Sequence, residues 1–268
     1  MPAASIIISY YKNLPALEVI LLALNEQNTQ DTFEVIISED DNEVSTIDFI
    51  NQIRHSLNYS IIHVSQEDKG FYKCACLNKS IVAANSDFLI FIDGDCIPHK
   101  KFVASYVKHK RSGVVLYGRR VMLSEKLSQS ILNNRKTSKL HFINLMRYGC
   151  KRIEDGLFFP ILNRFSKKKS SGILLGCNMG INKADLLSIN GFDEDYTFPG
   201  GGEDSDIEWR FKKRGGIEFA SVRNLSIVYH LWHEQRFDQE KEIKSTSFMN
   251  DKIKAGKFFC KNGLQKIS

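Results

Sequence analysis

Phe88-Leu89-Ile90-Phe91-Ile92-Asp93-Gly94-Asp95-Cys96 runs five apolar residues into two carboxylates separated by one glycine. A short apolar run rich in Ile and Phe suits a strand buried on both faces of a parallel sheet. Its carboxyl end is where open α/β sheets bind their ligands. Gly94 lets the backbone turn tightly and come close to a ligand. Two acids at that spot can hold a divalent cation, and the cation can hold a diphosphate. The plainer reading of Asp-Gly-Asp is a turn, because both residue types are favoured there. The triplet alone does not separate the two readings.

Working upstream, Ala3 to Ser9, Phe33 to Ser38 and Ser60 to Val64 read as further strands. Helical spacing of Leu17, Ile20, Leu21 and Leu24, a polar segment over 45–55, and Ala75 to Ala84 fill the intervals. Strands alternating with helices predict an α/β fold with a doubly wound, mostly parallel sheet. Downstream, Val114 to Tyr117 reads as a strand, and Ile173 to Ile181 as a buried one. Lys183 to Ile189 is a short helix stopped at Asn190-Gly191. A second helix follows Gly200-Gly201-Gly202-Glu203-Asp204-Ser205-Asp206, with Trp209 expected in the core. Ile217 to Ala220 and Ser226 to Tyr229 are late strands, the second leading into His230-Leu231-Trp232-His233-Glu234. The tail, 235–268, reads as a terminal helix or partly disordered.

The 268 residues are 43% hydrophobic and 25% charged, enough for one large α/β domain with a proper core. The net charge of +6 favours anionic partners, but no recognition-helix, zinc-finger or RNP-like pattern points to nucleic acid. Six scattered cysteines without metal-type pairs read as reduced thiols, which fits the cytoplasm. No apolar run reaches the length of a membrane span. Residues 124–171 stand apart, with eleven basic residues against three acids and many apolar ones. That mixture suits a segment touching an anionic membrane at the inner face of the plasma membrane. A helical insertion whose apolar face packs on the sheet reads equally well.

Seven stretches in order resemble inverting family 2 glycosyltransferases of the GT-A fold. The C-terminal half resembles β-1,4-galactosyltransferases and chondroitin polymerases. The stretches are Ile8-Ser9-Tyr10-Tyr11, Ser38-Glu39-Asp40-Asp41, Gln66 to Phe71 with Leu77-Asn78-Lys79, Asp93-Gly94-Asp95, Gly191-Phe192-Asp193-Glu194, Gly201-Gly202-Glu203-Asp204 and Tyr229 to His233. The resemblance implies a nucleotide-sugar half over 1–110, an acceptor and catalytic half over 172–234, and a single domain over 1–234. It implies a UDP-sugar donor with Mn²⁺ or Mg²⁺. It implies Asp40 at the uracil, Asp93 near ribose and metal, Asp68 and Asn78 also on the donor side, and Asp95 and His230 as metal ligands. Asp204 matches the general base, and Glu203 an acid for sugar or acceptor. One departure is Phe198-Pro199-Gly200, where the family carries an aromatic directly before the glycine pair.

Carboxylates and an imidazole suit this chemistry. A cation neutralises a leaving diphosphate, and a buried carboxylate takes the acceptor proton. Asp204 or Ser205 could instead simply cap a helix. His233 reads as a packed or hydrogen-bonded histidine. Trp232 could cover the site. The expected activity is transfer of a hexose or N-acetylhexosamine to a surface glycan such as lipopolysaccharide, O-antigen or capsule. A sugar-nucleotidyltransferase is disfavoured because Ser9 to Asn13 lacks glycine. A non-catalytic glycan-binding module on the same fold is the remaining alternative.

Overall fold

The computed structural model describes residues 1–163, 172–200, 202–234 and 239–267. The first half is built from β1 (Ala4–Tyr10), α1 (Leu14–Asn25), β2 (Phe33–Glu39), α2 (Val44–Ile53), β3 (Ser60–Ser65), α3 (Lys73–Ala83) and β4 (Phe88–Asp93). Then come β5 (Cys96–Pro98), α4 (Phe102–His109), β6 (Val114–Tyr117), β7 (Arg119–Met122), α5 (Glu125–Asn134), α6 (Phe142–Arg147) and α7 (Pro160–Asn163). The second half holds β8 (Met179–Asn182), α8 (Lys183–Leu187), α9 (Glu203–Arg214), β9 (Glu218–Ser221), β10 (Ile227–His230) and α10 (Gln239–Ala255).

Seven strands form one sheet in the order β3-β2-β1-β4-β8-β6-β9. β1, β2, β3 and β4 are parallel, and β8 runs antiparallel to β4 and β6. The all-apolar strands are explained by burial on both sides. Ile6, Ile8, Ile90 and Ile92 face one core with Leu17, Ile20 and Leu21 of α1. Ile7, Ile36, Leu89 and Phe91 face the other with Leu77 of α3 and Ile207 and Phe211 of α9. The chain goes outward from β1 to β2 and β3, then returns through α3 to β4 on β1's other side. The order reverses between β1 and β4, so their carboxyl ends open a crevice there.

The expected strand over 173–181 is shorter and later than the sequence predicts. Only Met179–Asn182 pairs. The reason lies in α9. Glu208 Oε2 accepts the Ile173 and Leu174 N–H groups at 2.6 and 3.0 Å, and Asp204 accepts that of Gly176 at 3.1 Å. Backbone donors that a ladder would use are taken by side chains, and the segment lies across α9 instead.

A second, three-stranded sheet has the order β5-β10-β7. β10 pairs antiparallel with β5, which sets His230 opposite Cys96, and parallel with β7. The described part of the 124–171 segment, residues 124–163, packs on this sheet. Ser124 caps α5 by accepting from the Leu127 N–H. Leu127, Ile131 and Leu145 are buried, as the packed-insertion reading expects. Ile143, Met146, Phe158, Phe159 and Ile161 nevertheless stay 39–67% exposed. Trp209, expected in the core, is only partly buried. No described helix is long and apolar enough to cross a membrane.

Candidate active site

The β1–β4 crevice is held shut at its base by Gly94. Its N–H donates to Ser9 O at 2.7 Å, and a Cβ there would stand 2.8 Å from that oxygen. The glycine is therefore required by the close approach of two backbones.

Asp40 and Asp68 stand at one end of the crevice. Asp40 follows β2 and is buried. It accepts from Gln66 Nε2 at 2.6 Å and from the Tyr72 N–H at 2.8 Å. Burial raises its pKa, against the pull of those two donors. Asp68 accepts from Lys12 Nζ at 2.8 Å and the Tyr11 hydroxyl at 3.1 Å, tying the 66–70 loop to the end of β1. The Lys12 bond holds the Asp68 carboxyl below its ordinary value. Asn78 is placed elsewhere. Its amide donates to Phe192 O and Glu194 Oε1 and accepts the Phe192 N–H, all within 3 Å. Buried on α3, it fastens that helix to the Gly191 turn.

The centre is organised by Lys73, which opens α3. Its ammonium donates to Asp93 Oδ1 at 2.9 Å and to Glu203 Oε1 at 3.0 Å. Burial opposes its charge, but Asp93 and Glu203 overcome this and hold its pKa well above the usual lysine value. Burial likewise pushes the Asp93 carboxyl upward, and Lys73 outweighs it, so Asp93 stays ionised. Glu203 and Asp204 form the first turn of α9, whose N-cap is Gly202 at φ 78°. Asp204 is thus inside the helix and caps nothing beyond the neighbouring Ser205 N–H, at 2.7 Å. Burial, helped by the charge of Glu203, raises the Asp204 pKa. The adjacent acids differ in their partners. Glu203 is engaged by a cation, whereas Asp204 accepts from the backbone N–H groups of Gly176 and Ser205 and, at 3.4 Å, the Ser205 hydroxyl.

At the other end Asp95 Oδ2 lies 3.4 Å from His230 Nε2 and 3.5 Å from His233 Nε2. The pairing of β10 with β5 brings His230 there, and His233 reaches back three residues later. Burial keeps His230 neutral, the form that ligates a metal. Its Nδ1 is buried without a hydrogen-bond partner. Both imidazole nitrogens approach the one carboxylate oxygen, and the ligand atoms of Asp95, Cys96 and His230 lie within 4.8 Å of one another. A carboxylate with imidazole suits a borderline cation such as Mn²⁺ better than Mg²⁺. The Cys96 thiol also adjoins Asp95, at 3.4 Å. Burial pushes its pKa well up, so it remains a protonated donor to the carboxylate.

Two site residues escaped the sequence reading or were read otherwise. Lys73 meets its two acids only through the fold. The His-x-x-His spacing of His230 and His233 was visible, but His233 reads more readily as a packed residue. Asn178 is fully buried and cross-links Tyr106, Arg119 O and Ser226 O. Phe198 packs with Tyr196 and with Phe248 of α10. Trp232, 46% exposed, stands beside the histidines in a cavity of about 650 Å³. Gly201 lies outside the described residues.

The chain matches the glycosyl transferase family 2 model over residues 5–186. The model described as the N-terminal domain of galactosyltransferase matches residues 158–234. Chondroitin synthase of Escherichia coli is 26% identical over 244 residues, covering 84% of this chain. The chain spans about a third of that relative, 34% of its length. The mannosyltransferase PcManGT of Pyrobaculum calidifontis, solved with GDP-Man and Mn²⁺, superposes at TM-score 0.64 with 14% identity. That match covers 95% of this chain and 64% of the other. S. aureus TarS 1–349, solved with UDP-GlcNAc, superposes at 0.60 with 16% identity, covering 93% and 66%. The sheet order with its switch-point crevice is accordingly the GT-A fold. With most of its length matched, the chain belongs to glycosyl transferase family 2 and is a glycosyltransferase related to the chondroitin synthases.

Proposed function

We propose that the protein is a metal-dependent, inverting enzyme. It moves a hexose or N-acetylhexosamine from a UDP-sugar to a hydroxyl of a growing surface glycan. The observation that carries this reading is the linked row of acids. Asp95 with its histidines is at one end, the Asp93–Lys73–Glu203 bridge in the middle, and Asp204 at the other. The uracil end of the donor goes to Asp40, beyond Asp93. Asp95, His230 and His233 would hold the cation, which when bound supplies Lewis-acid charge to the diphosphate. Asp93, Lys73 and Glu203 orient the sugar. Asp204 accepts the proton of the acceptor hydroxyl as its oxygen bonds to the anomeric carbon. The bond from that carbon to the diphosphate oxygen breaks, and the electron pair leaves with UDP. Attack opposite the leaving group inverts the configuration. Asn78 acts here as a fastener of α3 and not as a donor contact.

UDP release from a panel of UDP-hexoses, with Mn²⁺, Mg²⁺ or EDTA, tests the reading. One donor should be hydrolysed slowly with metal only, and Asp95→Ala should lose both that turnover and metal binding. If no nucleotide sugar binds with any metal, the reading is wrong.

The acceptor is lipid-linked in this reading, and the enzyme works at the inner face of the plasma membrane. Ile143, Met146, Phe158, Phe159 and Ile161 support this, since basic residues such as Lys136 and Arg147 are exposed among them. Basic and apolar groups together bind anionic bilayers. The protein should sediment with phosphatidylserine vesicles, release in high salt, and ignore neutral vesicles. Equal partitioning to both would remove the membrane from the account.

A further inference from the structure

The cavity beside the metal-ligand candidates has a volume of about 650 Å³, more than twice that of the cavities at His99 and His141, at Trp209 and Lys252, and at Lys110 and Asn182. We infer that the diphosphate end of the leaving nucleotide faces it, with the uracil end at Asp40, and that Lys151 and Arg152 clamp that diphosphate. The inference rests on the transferase reading above and assigns a part of the reaction to the basic 124–171 segment.

Charge accounting leads to it. A leaving diphosphate carries more negative charge than one divalent cation cancels. Near the crevice, Lys12 is already spent on Asp41 and Asp68, and Lys73 on Asp93 and Glu203. Arg119 donates to Ile173 O. Lys151 and Arg152 line the cavity, and among the described residues neither has an acidic partner. Arg120, on the inner wall, donates to the Cys177 thiol at 3.6 Å and its charge acts on Asp93, and among the described residues its Nε is buried without a hydrogen-bond partner. The acids lining it are Glu125, which accepts from the neutral Gln129, and Glu234, so the three cations Arg120, Lys151 and Arg152 outnumber them.

Position agrees with charge. His230 and His233 line the cavity, whereas Asp204 and Glu203 do not. In-line attack sends the leaving group to the side away from the base, so the cavity is on the side that the diphosphate takes. The clamp is also preorganised. Lys151 and Met122 exchange two backbone hydrogen bonds of 2.9 Å, which fix the turn to the end of β7. Arg152 is held at φ 55°, an uncommon backbone state for arginine that persists only where the surroundings enforce it.

The test is calorimetric titration of UDP, uridine and inorganic pyrophosphate into the full chain with Mn²⁺. Wild type is compared with the Lys151→Ala/Arg152→Ala double variant. Both side chains are exposed, and an unchanged melting temperature checks the fold. UDP and pyrophosphate should bind the double variant at least tenfold more weakly, with uridine unaffected and a shallower salt dependence. Equal UDP affinity in the two proteins would overturn the clamp. So would unchanged UDP affinity with a raised KM for an anionic acceptor, which would make the cavity an acceptor subsite. Wild type that binds no UDP with any metal would refute the donor reading, and the clamp with it.

Discussion

Asp204→Asn should lower sugar transfer by about 10²–10⁴-fold, the usual worth of a positioned general base, while UDP and Mn²⁺ still bind. Asparagine keeps the shape, but its single amide oxygen can replace only one of the two acceptors, which take the Gly176 N–H at Oδ2 and the Ser205 N–H at Oδ1, so one of these bonds is lost while the rest of α9 should hold. What is lost is a group that can take a proton. The pH profile gives a second readout. Burial raises the Asp204 pKa, and only the ionised carboxylate can accept, so kcat/KM should fall on the acid side through a pKa above the ordinary aspartate value. The residual activity of Asp204→Asn should lack that limb. Stability moves the other way. A carboxyl whose folded pKa is raised favours folding below its unfolded pKa, and this contribution is lost as pH rises through the folded value. At neutral pH the variant is relieved of a buried charge, which offsets the hydrogen bond that asparagine gives up, so its melting temperature should stay near that of wild type. Full activity in Asp204→Asn would transfer the base role to Glu203, and loss of UDP binding would make Asp204 a donor-binding residue.

How much of this site was legible beforehand follows from how each residue reaches it. β1, β2 and β4 carry runs of isoleucine and phenylalanine whose burial on both faces leaves a clear signal, and the carboxylates at their ends come with them. β5, β7 and β10 are three or four residues long. Cys96-Ile97-Pro98 and Arg119-Arg120-Val121-Met122 are too short and too mixed to show a period of two, so the sheet that delivers His230 to Asp95 is set by non-local pairing alone. Lys73 is 20 residues from Asp93 and 130 from Glu203, and no local pattern connects them. The segment over 173–178 misled for a different reason. Ile173-Leu174-Leu175 has strand composition, but propensity yields where buried carboxylates offer the backbone better partners. The glycine-rich approach to Asp204 was readable as a motif, whereas the fastening that holds it depends on α9 and on the tail.

That fastening predicts the largest loss of stability. Arg210 is 1% exposed, and its Nε donates to Asp206 Oδ2 at 2.6 Å. Its Nη1 reaches Ile189 O and Gly191 O at 2.7 and 2.8 Å, and the Tyr196 hydroxyl meets Asp206 at 3.3 Å. Burial raises the Asp206 pKa, and Arg210 opposes that rise. Arg210→Leu should cost about 3–5 kcal/mol, the penalty for leaving one buried charge without its partner, plus two abandoned carbonyls. Urea unfolding measures it, and a loss under about 1 kcal/mol would contradict the buried network. Removing both charges as Asp206→Leu/Arg210→Leu should be less damaging than Arg210→Leu alone, because the stranded carboxylate goes too. The consequence extends to catalysis. Asp206 lies two residues after Asp204 on the same helix, and Lys252 of α10 holds Asp193 on the turn that Arg210 grips from beneath. A loosened turn leaves α9 free to shift, so Arg210→Leu should lower kcat even at temperatures where the protein remains folded, with the KM for UDP-sugar changed little because Asp40, Asp93 and Asp95 hang from the other half of the sheet.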